Sequence, residues 1–561
     1  MRENKFDVNL LTKGLTNLPS VLQSMGYSSL REEQKDPINS ILSGKDTFVI
    51  IPTGGGKTLL YTATTKALNF KTIVFSPLIA LQRDQTQSIN LKGIKAGSVN
   101  SDNSEAMNTM TLNEWAMGKL DILFIAPERI TTPAFKQAIA QQPPDMVALD
   151  EAHTMSQWGN DFRPAYKRCG DFVKEQNPRV VIALTATATE KIVEDVREVL
   201  GIHDCNICCN YSPRTNLKLS SSFTPSENLF SAVLNKVRSI DGSVIIYCDT
   251  IKHLSDLASF LSAAGEDVTV YHSQLNEETK AENQNNFMSD SIRIMLCTNA
   301  FGMGIDKPNI RGIIHAWPPG SIEAIAQETG RASRDGEEAT CHMFFTEQGM
   351  SQHAFFCDLS TPDSNTAYTC WKVVTENKDS NDEVFLTGKQ MEKLSGGLVG
   401  SENILNVFHS IGCVDRYDLE VKTWEITVFK DPEKKVHKAT LDALIEGGTI
   451  VRTTSSGYKV YETTLEYAAT TLLKGVPTIR THINALVKEG VIAATPPFAG
   501  KVTKVLREPT KVDYMILDER RRQKQDQFKE VTKYHNTPDK DKWKFITDYF
   551  ELKNLIKPTN G

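Results

Sequence analysis

The strongest constraint on the fold of this chain is an alternation of short apolar runs with amphipathic stretches over its first 350 residues. The runs are rich in β-branched residues and are bounded by turn residues, which favours buried strands over fragments of helices. The first series of runs lies at residues 47–51, 72–75, 122–125, 146–149 and 180–184. Because helical patterns separate most of these runs, the sequence predicts a parallel sheet covered by helices on both faces.

The same pattern then repeats. The second series of runs lies at residues 244–247, 268–271, 292–296, 312–315 and 341–345. Residues 210–227 are rich in Ser, Thr and Pro, and we interpret them as the connection between two domains. We therefore predict an α/β fold of two tandem parallel-sheet domains, residues 1–209 and 210–350, with a cleft between them.

Beyond residue 350 the pattern changes. Residues 351–383 are polar and are interpreted as a linker with some helix. Residues 384–510 show a helix followed by a two-stranded ribbon three times, near 403–428, 441–461 and 480–506, which is typical of winged-helix modules; a generic small α+β domain is the alternative. Phe498 would lie at the tip of the last ribbon, either as a wedge against a base pair or simply exposed. Residues 511–561 are interpreted as a basic helical tail.

The composition narrows the class of protein. A chain of 561 residues predicts three to four domains, and 40% hydrophobic with 24% charged residues excludes a disordered or collagen-like chain. No apolar run approaches the ~18 residues needed to span a membrane, and the first residues do not resemble a signal peptide. We therefore expect a cytoplasmic protein without a membrane partner.

The ten cysteines do not form the dense pattern of a disulfide scaffold. One cluster has spacing typical of metal ligands, namely His203, Cys205, Cys208 and Cys209. It lacks a second Cys pair at zinc-finger distance, so we predict free thiols and no zinc site.

Residues 51–58, Ile-Pro-Thr-Gly-Gly-Gly-Lys-Thr, follow a predicted strand and precede a predicted helix. Glycines in such a loop allow backbone N–H groups to surround phosphates, with Lys57 at the β- and γ-phosphates and Thr58 on Mg²⁺. The strict motif has Gly where this chain has Ile51. The predicted nucleotide-binding residues of the loop are Thr53, Gly54, Gly55, Gly56, Lys57 and Thr58.

Two further groups of residues complete an ATP-hydrolysing site. Asp150 and Glu151 follow the run at 146–149, where Asp150 could bind Mg²⁺ and Glu151 could orient and deprotonate the attacking water. Gln327, Arg331 and Arg334 lie in the second domain. The two arginines are three residues apart, so a helix would present them on one face, and either could be an arginine finger on the transferring phosphoryl group.

These motifs give the chain a resemblance to superfamily 2 helicases, and within them to the RecQ family, over about residues 15–350. Further matching segments are 25–34, 76–85, 126–129, 185–189 and 301–309. The resemblance implies RecA-like motor domains, ATP and Mg²⁺ as cofactors, and translocation from 3′ to 5′ on DNA. It also implies that Gln34 reads the adenine edge, with Tyr27 and Arg31 packed near the base.

The segment 156–164, Ser-Gln-Trp-Gly-Asn-Asp-Phe-Arg-Pro, resembles the aromatic-rich loop of RecQ proteins. Flat aromatic side chains bind bases by stacking, with little dependence on sequence. The resemblance assigns DNA contacts to Ser76, Trp158, Phe162, Arg163 and Thr298. It assigns coupling between DNA binding and hydrolysis to His153, Thr185 and Thr187.

The chain also departs from the family pattern. Asn160, Asp306 and Ser333 replace residues that are usually His, Asn and Gly. The four cysteines of the family's zinc subdomain are absent after residue 350, although residues 518–552 resemble its helical hairpin.

Net charge is −6, but residues 501–561 contain 15 Lys and Arg against 10 Asp and Glu. The basic segment 520–524 could follow phosphates or could be a solvated helix face. The leading hypothesis is an ATP-dependent DNA helicase that binds single-stranded and forked DNA, acts as a monomer and has room for protein partners on its C-terminal region. The alternatives are an RNA-directed or duplex-tracking translocase and an ATP-binding scaffold without motor activity.

Overall fold

The computed structural model describes residues 7–52, 54–77, 79–156, 164–209, 213–301, 307–397, 400–421, 423–454, 457–495, 497–552 and 555. The chain forms two compact units. The first unit combines residues 1–356 with 522–561, and the second contains residues 357–521. Among the described residues, no helix has the length and apolarity needed to cross a membrane.

The first sheet contains seven parallel strands in the order β3-β4-β2-β5-β6-β1-β7. The strands are β1 Thr47–Ile50, β2 Thr72–Phe75, β3 Ala96–Val99, β4 Ile122–Ile125, β5 Met146–Leu149, β6 Val180–Thr185 and β7 Asn206–Cys209. The helices are α1 Val8–Ser24, α2 Glu32–Leu42, α3 Lys57–Leu68, α4 Ile79–Leu91, α5 Glu105–Ala116, α6 Pro133–Gln141, α7 Pro164–Gln176 and α8 Glu190–Leu200. The five predicted runs form β1, β2, β4, β5 and β6, whose described side chains are all buried. The edge strands β3 and β7 were not predicted, because they are only partly buried and their sequences are not continuous apolar runs.

The second sheet contains six parallel strands in the order β10-β11-β9-β12-β13-β8. The strands are β8 Leu217–Phe223, β9 Ser243–Tyr247, β10 Val268–Tyr271, β11 Ile294–Cys297, β12 Ile310–His315 and β13 Ala339–Phe345. The helices are α9 Leu229–Arg238, α10 Ile251–Ala263, α11 Glu277–Met288, α12 Ile322–Thr329 and α13 Glu347–Ser360. Two parallel sheets in tandem, each alternating with helices, confirm the predicted fold class.

Strand β8 differs from the sequence prediction, which treated residues 210–227 as a connection only. Leu217 and Leu219 are buried, but three serines follow and hide the strand pattern. The hydroxyls of Ser220 and Ser222 lie 2.8 and 3.0 Å from the two ring nitrogens of His342 on β13. Because its serine hydroxyls contact His342, this polar run forms an edge strand, which the hydropathy of the sequence does not indicate.

The end of the chain returns to the first unit. Helices α20 Lys511–Asn536 and α21 Lys542–Tyr549 occupy the region that resembles the family's helical hairpin. Val531, Tyr534, Ile546 and Phe550 are buried in the core beneath the second sheet, whereas Leu552 is buried in the core of the first. Both sheets of the first unit therefore contact the tail hairpin, residues 522–552.

Lys542 is fully buried within the tail hairpin. Its ammonium group donates to the carbonyl oxygens of Tyr534, His535 and Thr537 at 2.7, 3.3 and 2.9 Å. These carbonyls lie at the end of α20 and just beyond it, where backbone oxygens need partners. A buried cation therefore closes this turn.

The second unit contains two antiparallel sheets, with the orders β14-β20-β15 and β17-β18-β16-β19. Its strands are β14 Glu383–Val384, β15 Val414–Val421, β16 Trp424–Val428, β17 Thr449–Thr453, β18 Lys459–Thr463, β19 Ile492–Thr495 and β20 Phe498–Val505. Its helices are α14 Ser364–Glu376, α15 Gly388–Leu394, α16 Ser401–Ser410, α17 Lys435–Glu446, α18 Leu465–Thr471 and α19 Val476–Lys488. Helices α13 and α14 occupy much of the segment that was predicted to be mainly a linker.

Only one of the three predicted helix–ribbon modules has its two strands paired with each other. Helix α17 is followed by the antiparallel pair β17 and β18. In the other two modules the consecutive strands belong to different sheets, because β16 and β19 pair together while β15 pairs with β20. The prediction of ribbons at 403–428 and 480–506 was therefore wrong. Phe498 begins β20, and its ring lies edge-to-face against Phe385 at 5.6 Å rather than at a hairpin tip.

Candidate active site

The phosphate-binding loop joins β1 to α3 at the carboxyl edge of the first sheet. Gly54 and Gly56 have φ angles of 84° and 78°, the left-handed region that glycine adopts most easily. A Cβ atom at Gly55 would lie only 2.1 Å from Ile51 Cγ2. The shape of the loop therefore depends on all three glycines. Thr53 lies outside the described residues.

Lys57 and Thr58 are the first residues of α3, where backbone N–H groups face outward and attract anions. The Lys57 ammonium group donates to the carbonyl oxygen of Ile51 at 3.4 Å. The Thr58 hydroxyl accepts a hydrogen bond from the Gln85 amide at 3.3 Å. Both predicted residues thus lie where a nucleotide phosphate would approach the helix.

Asp150 follows the end of β5 and is 4% exposed. Its Oδ1 accepts a hydrogen bond from the backbone N–H of Glu151 at 3.0 Å. Burial, and then the charge of Glu151, raise the pKa of Asp150 to about 7, against the opposing charge of Lys57. Two adjacent buried carboxyl groups beside a hydroxyl form an oxygen-rich donor set, which suits a divalent cation such as Mg²⁺.

Gln85 is a site residue that the sequence prediction missed. Its amide contacts Thr58, its side-chain oxygen accepts from the Tyr61 hydroxyl at 3.3 Å, and it hydrogen-bonds Asp150. Its role could have been inferred from its position in segment 76–85, which resembles a helicase motif. Gln85 therefore links helix α4 to both predicted Mg²⁺ ligands.

Two of the three predicted adenine-binding residues, Arg31 and Gln34, contact the carbonyl side of the same loop. Arg31 donates to the Gly54 carbonyl at 2.7 Å, and Gln34 donates to the carbonyls of Gly55 and Gly56 at 3.0 and 3.4 Å. The Tyr27 hydroxyl accepts from Lys92 at 2.7 Å. Arg31 and Gln34 thus join helix α2 and the residue before it to the phosphate-binding loop.

The three predicted coupling residues form one chain of contacts that begins at Glu151. His153 Nδ1 lies 3.4 Å from Glu151 Oε2 and 2.9 Å from the Thr185 hydroxyl. That hydroxyl donates to the Thr187 carbonyl at 2.9 Å and accepts from its N–H at 3.2 Å. A movement at the end of β6 would therefore be transmitted to the Glu151 carboxylate through Thr185 and His153.

The arginines of the second domain do not share a helix face, so that part of the prediction was wrong. Helix α12 ends at Thr329, and both arginines follow it. Arg331 is buried and hydrogen-bonds the hydroxyl of Tyr247. Arg334 instead reaches the phosphate-binding loop, with its Nε 3.5 Å from the position of a Cβ atom at Gly54.

Gln327 lies on α12 and lines a cavity of about 390 Å³. The same cavity is lined by His153 and Thr187 of the first domain. The structure therefore brings this predicted catalytic residue together with two of the predicted coupling residues.

The predicted DNA-contacting residues are only partly described. Ser76 is fully buried after β2, and Thr298 follows β11 with partial exposure. Trp158, Phe162 and Arg163 lie outside the described residues. Within the described part of the chain, no three or more His, Cys, Asp or Glu side chains form a group able to hold a metal ion.

The comparisons with known proteins match the same regions. The DEAD/DEAH box helicase family model matches residues 31–196, and the model of the helicase conserved C-terminal domain matches residues 227–336. The structure is similar in fold to that of a DUF1998 helicase, MrfA, bound to DNA, with a TM-score of 0.50 and 15% identity. That likeness covers 74% of this chain and 63% of the other.

Two curated relatives carry the family assignment. The chain is 35% identical over 329 residues to the ATP-dependent DNA helicase RecQ of Haemophilus influenzae, covering 58% of this chain and 53% of that protein. It is 34% identical over 364 residues to a protein of Acanthamoeba polyphaga mimivirus that is provisionally named an ATP-dependent RNA helicase, R290, covering 63% and 65%. The chain thus spans about half to two thirds of the length of these relatives. From these matches and the site geometry, this chain belongs to the RecQ family of superfamily 2 helicases.

Proposed function

We propose that this chain is an ATP-dependent DNA helicase that moves from 3′ to 5′ along single-stranded DNA and separates duplex DNA. The observation that carries the proposal is Arg334, which extends from the second sheet to within 3.5 Å of a Cβ position at Gly54 of the first. A site shared by two domains can convert nucleotide binding and hydrolysis into closing and opening of the cleft. The resemblance to RecQ proteins supports the proposed polarity and the choice of DNA.

Each residue has a role that its contacts support. The N–H groups at the start of α3 and Lys57 hold the β- and γ-phosphates, and Glu151 orients and deprotonates the attacking water. The Arg334 guanidinium neutralises charge on the transferring phosphoryl group, a contribution of about 10³-fold or more in comparable enzymes. Thr58 and Asp150 would hold Mg²⁺, which supplies charge neutralisation to the phosphates when bound.

The proposal includes a path from DNA to the hydrolysis site. Trp158 and Phe162 would stack on bases of the bound DNA. The contacts from Thr187 through Thr185 and His153 to Glu151 would then transmit DNA binding to the carboxylate that acts in hydrolysis. Arg163, Ser76 and Thr298 are proposed as further DNA contacts. Because Ser76 is fully buried, its contact would require the surrounding loop to open.

The test is ATP hydrolysis with and without single-stranded DNA, together with strand separation of forks that carry a 3′ or a 5′ tail. Glu151→Gln removes the base and should lower kcat by about 10²–10⁴-fold, while ATP still binds. Glu198→Gln is the matched control, because Glu198 is exposed on α8 of the same domain. DNA-stimulated turnover that survives Glu151→Gln, or unwinding of 5′-tailed forks alone, would overturn the proposal.

A second candidate is an RNA-directed helicase, which the name of the mimivirus relative favours. Stimulation of hydrolysis by single-stranded RNA above that by DNA of the same length would select it. If neither polymer stimulates turnover while ATP binds, the chain acts as an ATP-binding scaffold instead.

A further inference from the structure

Arg334 belongs to a short loop with an unusual backbone, here called the finger loop, residues 330–337. Ser333 immediately precedes Arg334 and has a φ angle of 46°. A residue with a Cβ atom is strained in this left-handed region. Such a conformation persists only when neighbouring groups hold it.

Arg214 holds the finger loop from the segment just before β8. Its guanidinium donates to the Gly330 carbonyl at 3.1 Å and to the Ser333 carbonyl at 2.6 Å. Asn216 adds hydrogen bonds to the carbonyls of Ser333 and Glu337 at 3.3 and 2.9 Å. Both residues therefore fix the backbone on the two sides of Arg334.

Arg311 on β12 holds the loop through side chains instead. It donates to both carboxylate oxygens of Asp335 at 3.1 and 2.6 Å. The Ser333 hydroxyl also donates to Asp335 Oδ1, at 3.1 Å. The side chains of Arg214 and Asn216 thus bind carbonyl groups of the loop, whereas Arg311 binds its side chains. The N–H groups of Ser333 and Asp335 donate to the carbonyls of Ile310 and Pro308 at 2.9 and 3.4 Å.

The finger loop needs this support because it places the positively charged side chain of Arg334 close to two other arginines. Arg31, Arg214 and Arg334 line one cavity of about 310 Å³ together with Gly54 and Gly55. Burial first, and also the charges of Arg334 and Arg31, lower the pKa of Arg214. Because these like charges repel one another, Arg334 would move away from the phosphate-binding loop if hydrogen bonds did not hold the finger loop in place.

We propose that Arg214 is a positioning residue, which holds the finger loop so that Arg334 meets the transferring phosphoryl group. The inference rests on the proposed role of Arg334 as the arginine finger. It assigns a function in hydrolysis to a residue of the segment that connects the two parallel-sheet domains.

The test is a double-mutant cycle on DNA-stimulated ATP hydrolysis. Arg214→Ala should lower kcat by about 10²-fold, as expected when a catalytic group is misplaced by about 1 Å, and should change KM for ATP less than threefold. In the Arg334→Ala background, Arg214→Ala should lower kcat no further, because it acts through Arg334. Arg214→Lys should recover part of the loss, since one ammonium group can reach one of the two carbonyls.

Two controls separate positioning from folding. Arg238→Ala removes an arginine that binds Glu266 and the Ala264 carbonyl in the same domain, and it should leave kcat unchanged. Thermal unfolding of each variant reports stability, and Asn216→Ala provides a second, milder loss of support if Arg214→Ala unfolds.

The outcomes are distinct. If Arg334→Ala leaves kcat unchanged, the proposed arginine finger is wrong. If Arg334→Ala lowers kcat but Arg214→Ala does not, or if the two losses multiply in the double variant, only the positioning role is wrong.

Discussion

At the scale of single residues, Ile51 and Gly55 show how the phosphate-binding loop tolerates its departure from the strict motif. The strict motif has Gly where this chain has Ile51, a residue that is 1% exposed in the core beneath the loop. Its Cγ2 atom occupies the space that a Cβ atom at position 55 would need. The Ile51 side chain thus packs in the core, and position 55 must be glycine because no space remains for a Cβ atom.

The close contact between Ile51 and Gly55 predicts the effect of Gly55→Ala. The added methyl group would lie 2.1 Å from Ile51 Cγ2 and 3.1 Å from the Pro52 carbonyl, so the loop must shift. We expect KM for ATP to rise about tenfold or more, measured by steady-state hydrolysis. Adding Ile51→Ala should recover part of the affinity, and no recovery in that double variant would contradict the explanation.

At the scale of elements, the tail hairpin contacts the second domain through stacked pairs of histidine and phenylalanine rings. His353 on α13 stacks on Phe528 of α20 at 3.7 Å between ring centroids, and His535 stacks on Phe345 at 4.4 Å. Burial lowers the pKa of His353 to about 4, with a smaller effect of Lys524, and burial also lowers the pKa of His535. Burial therefore disfavours the charged form of both rings in the folded protein.

The lowered pKa of His353 predicts acid sensitivity of this contact. Between about pH 6.5 and pH 4 the unfolded chain binds a proton that the folded chain does not bind, so stability falls as the pH falls through this window. Hydrogen exchange of residues 522–552 should accelerate between pH 7 and pH 5, after correction for intrinsic rates. His353→Phe keeps a stacked ring without the titration and should lose part of this pH dependence, whereas an unchanged dependence would show that His353 is not its source.

At the scale of the whole molecule, the first unit is built from two distant parts of the chain. Residues 522–552 contribute buried side chains to the core beneath the second sheet, and Leu552 contributes to the core of the first. The cores of the first unit are therefore incomplete without residues 522–552.

This arrangement predicts a large effect of truncation after Arg521. Loss of Val531, Tyr534, Ile546 and Phe550 would expose their partners under β8 and β13, so the thermal midpoint should fall by more than about 5 °C. Removal of residues 556–561 alone is the control and should change the midpoint little. An unchanged unfolding temperature after truncation at 521 would contradict the structural role of the tail hairpin.

The sequence predicted the central strands and the motif residues, because buried parallel strands read as continuous apolar runs and phosphate chemistry requires glycines and Lys57 in order. It missed β8, whose serines bind His342, and it paired strands β19 and β20, which belong to different sheets. Strand pairing depends on contacts between distant residues, and local periodicity carries no information about them.

The sequence by itself therefore determined the fold class, the family and the set of residues at the phosphate-binding loop. Only the tertiary structure decided which of two neighbouring arginines reaches that loop, because the path of the chain after α12 depends on Arg214, Asn216 and Arg311, which are distant in sequence. It also decided that the tail hairpin completes the cores of the first unit. Local preferences select elements, whereas charge, burial and hydrogen bonds between remote residues determine where their side chains meet.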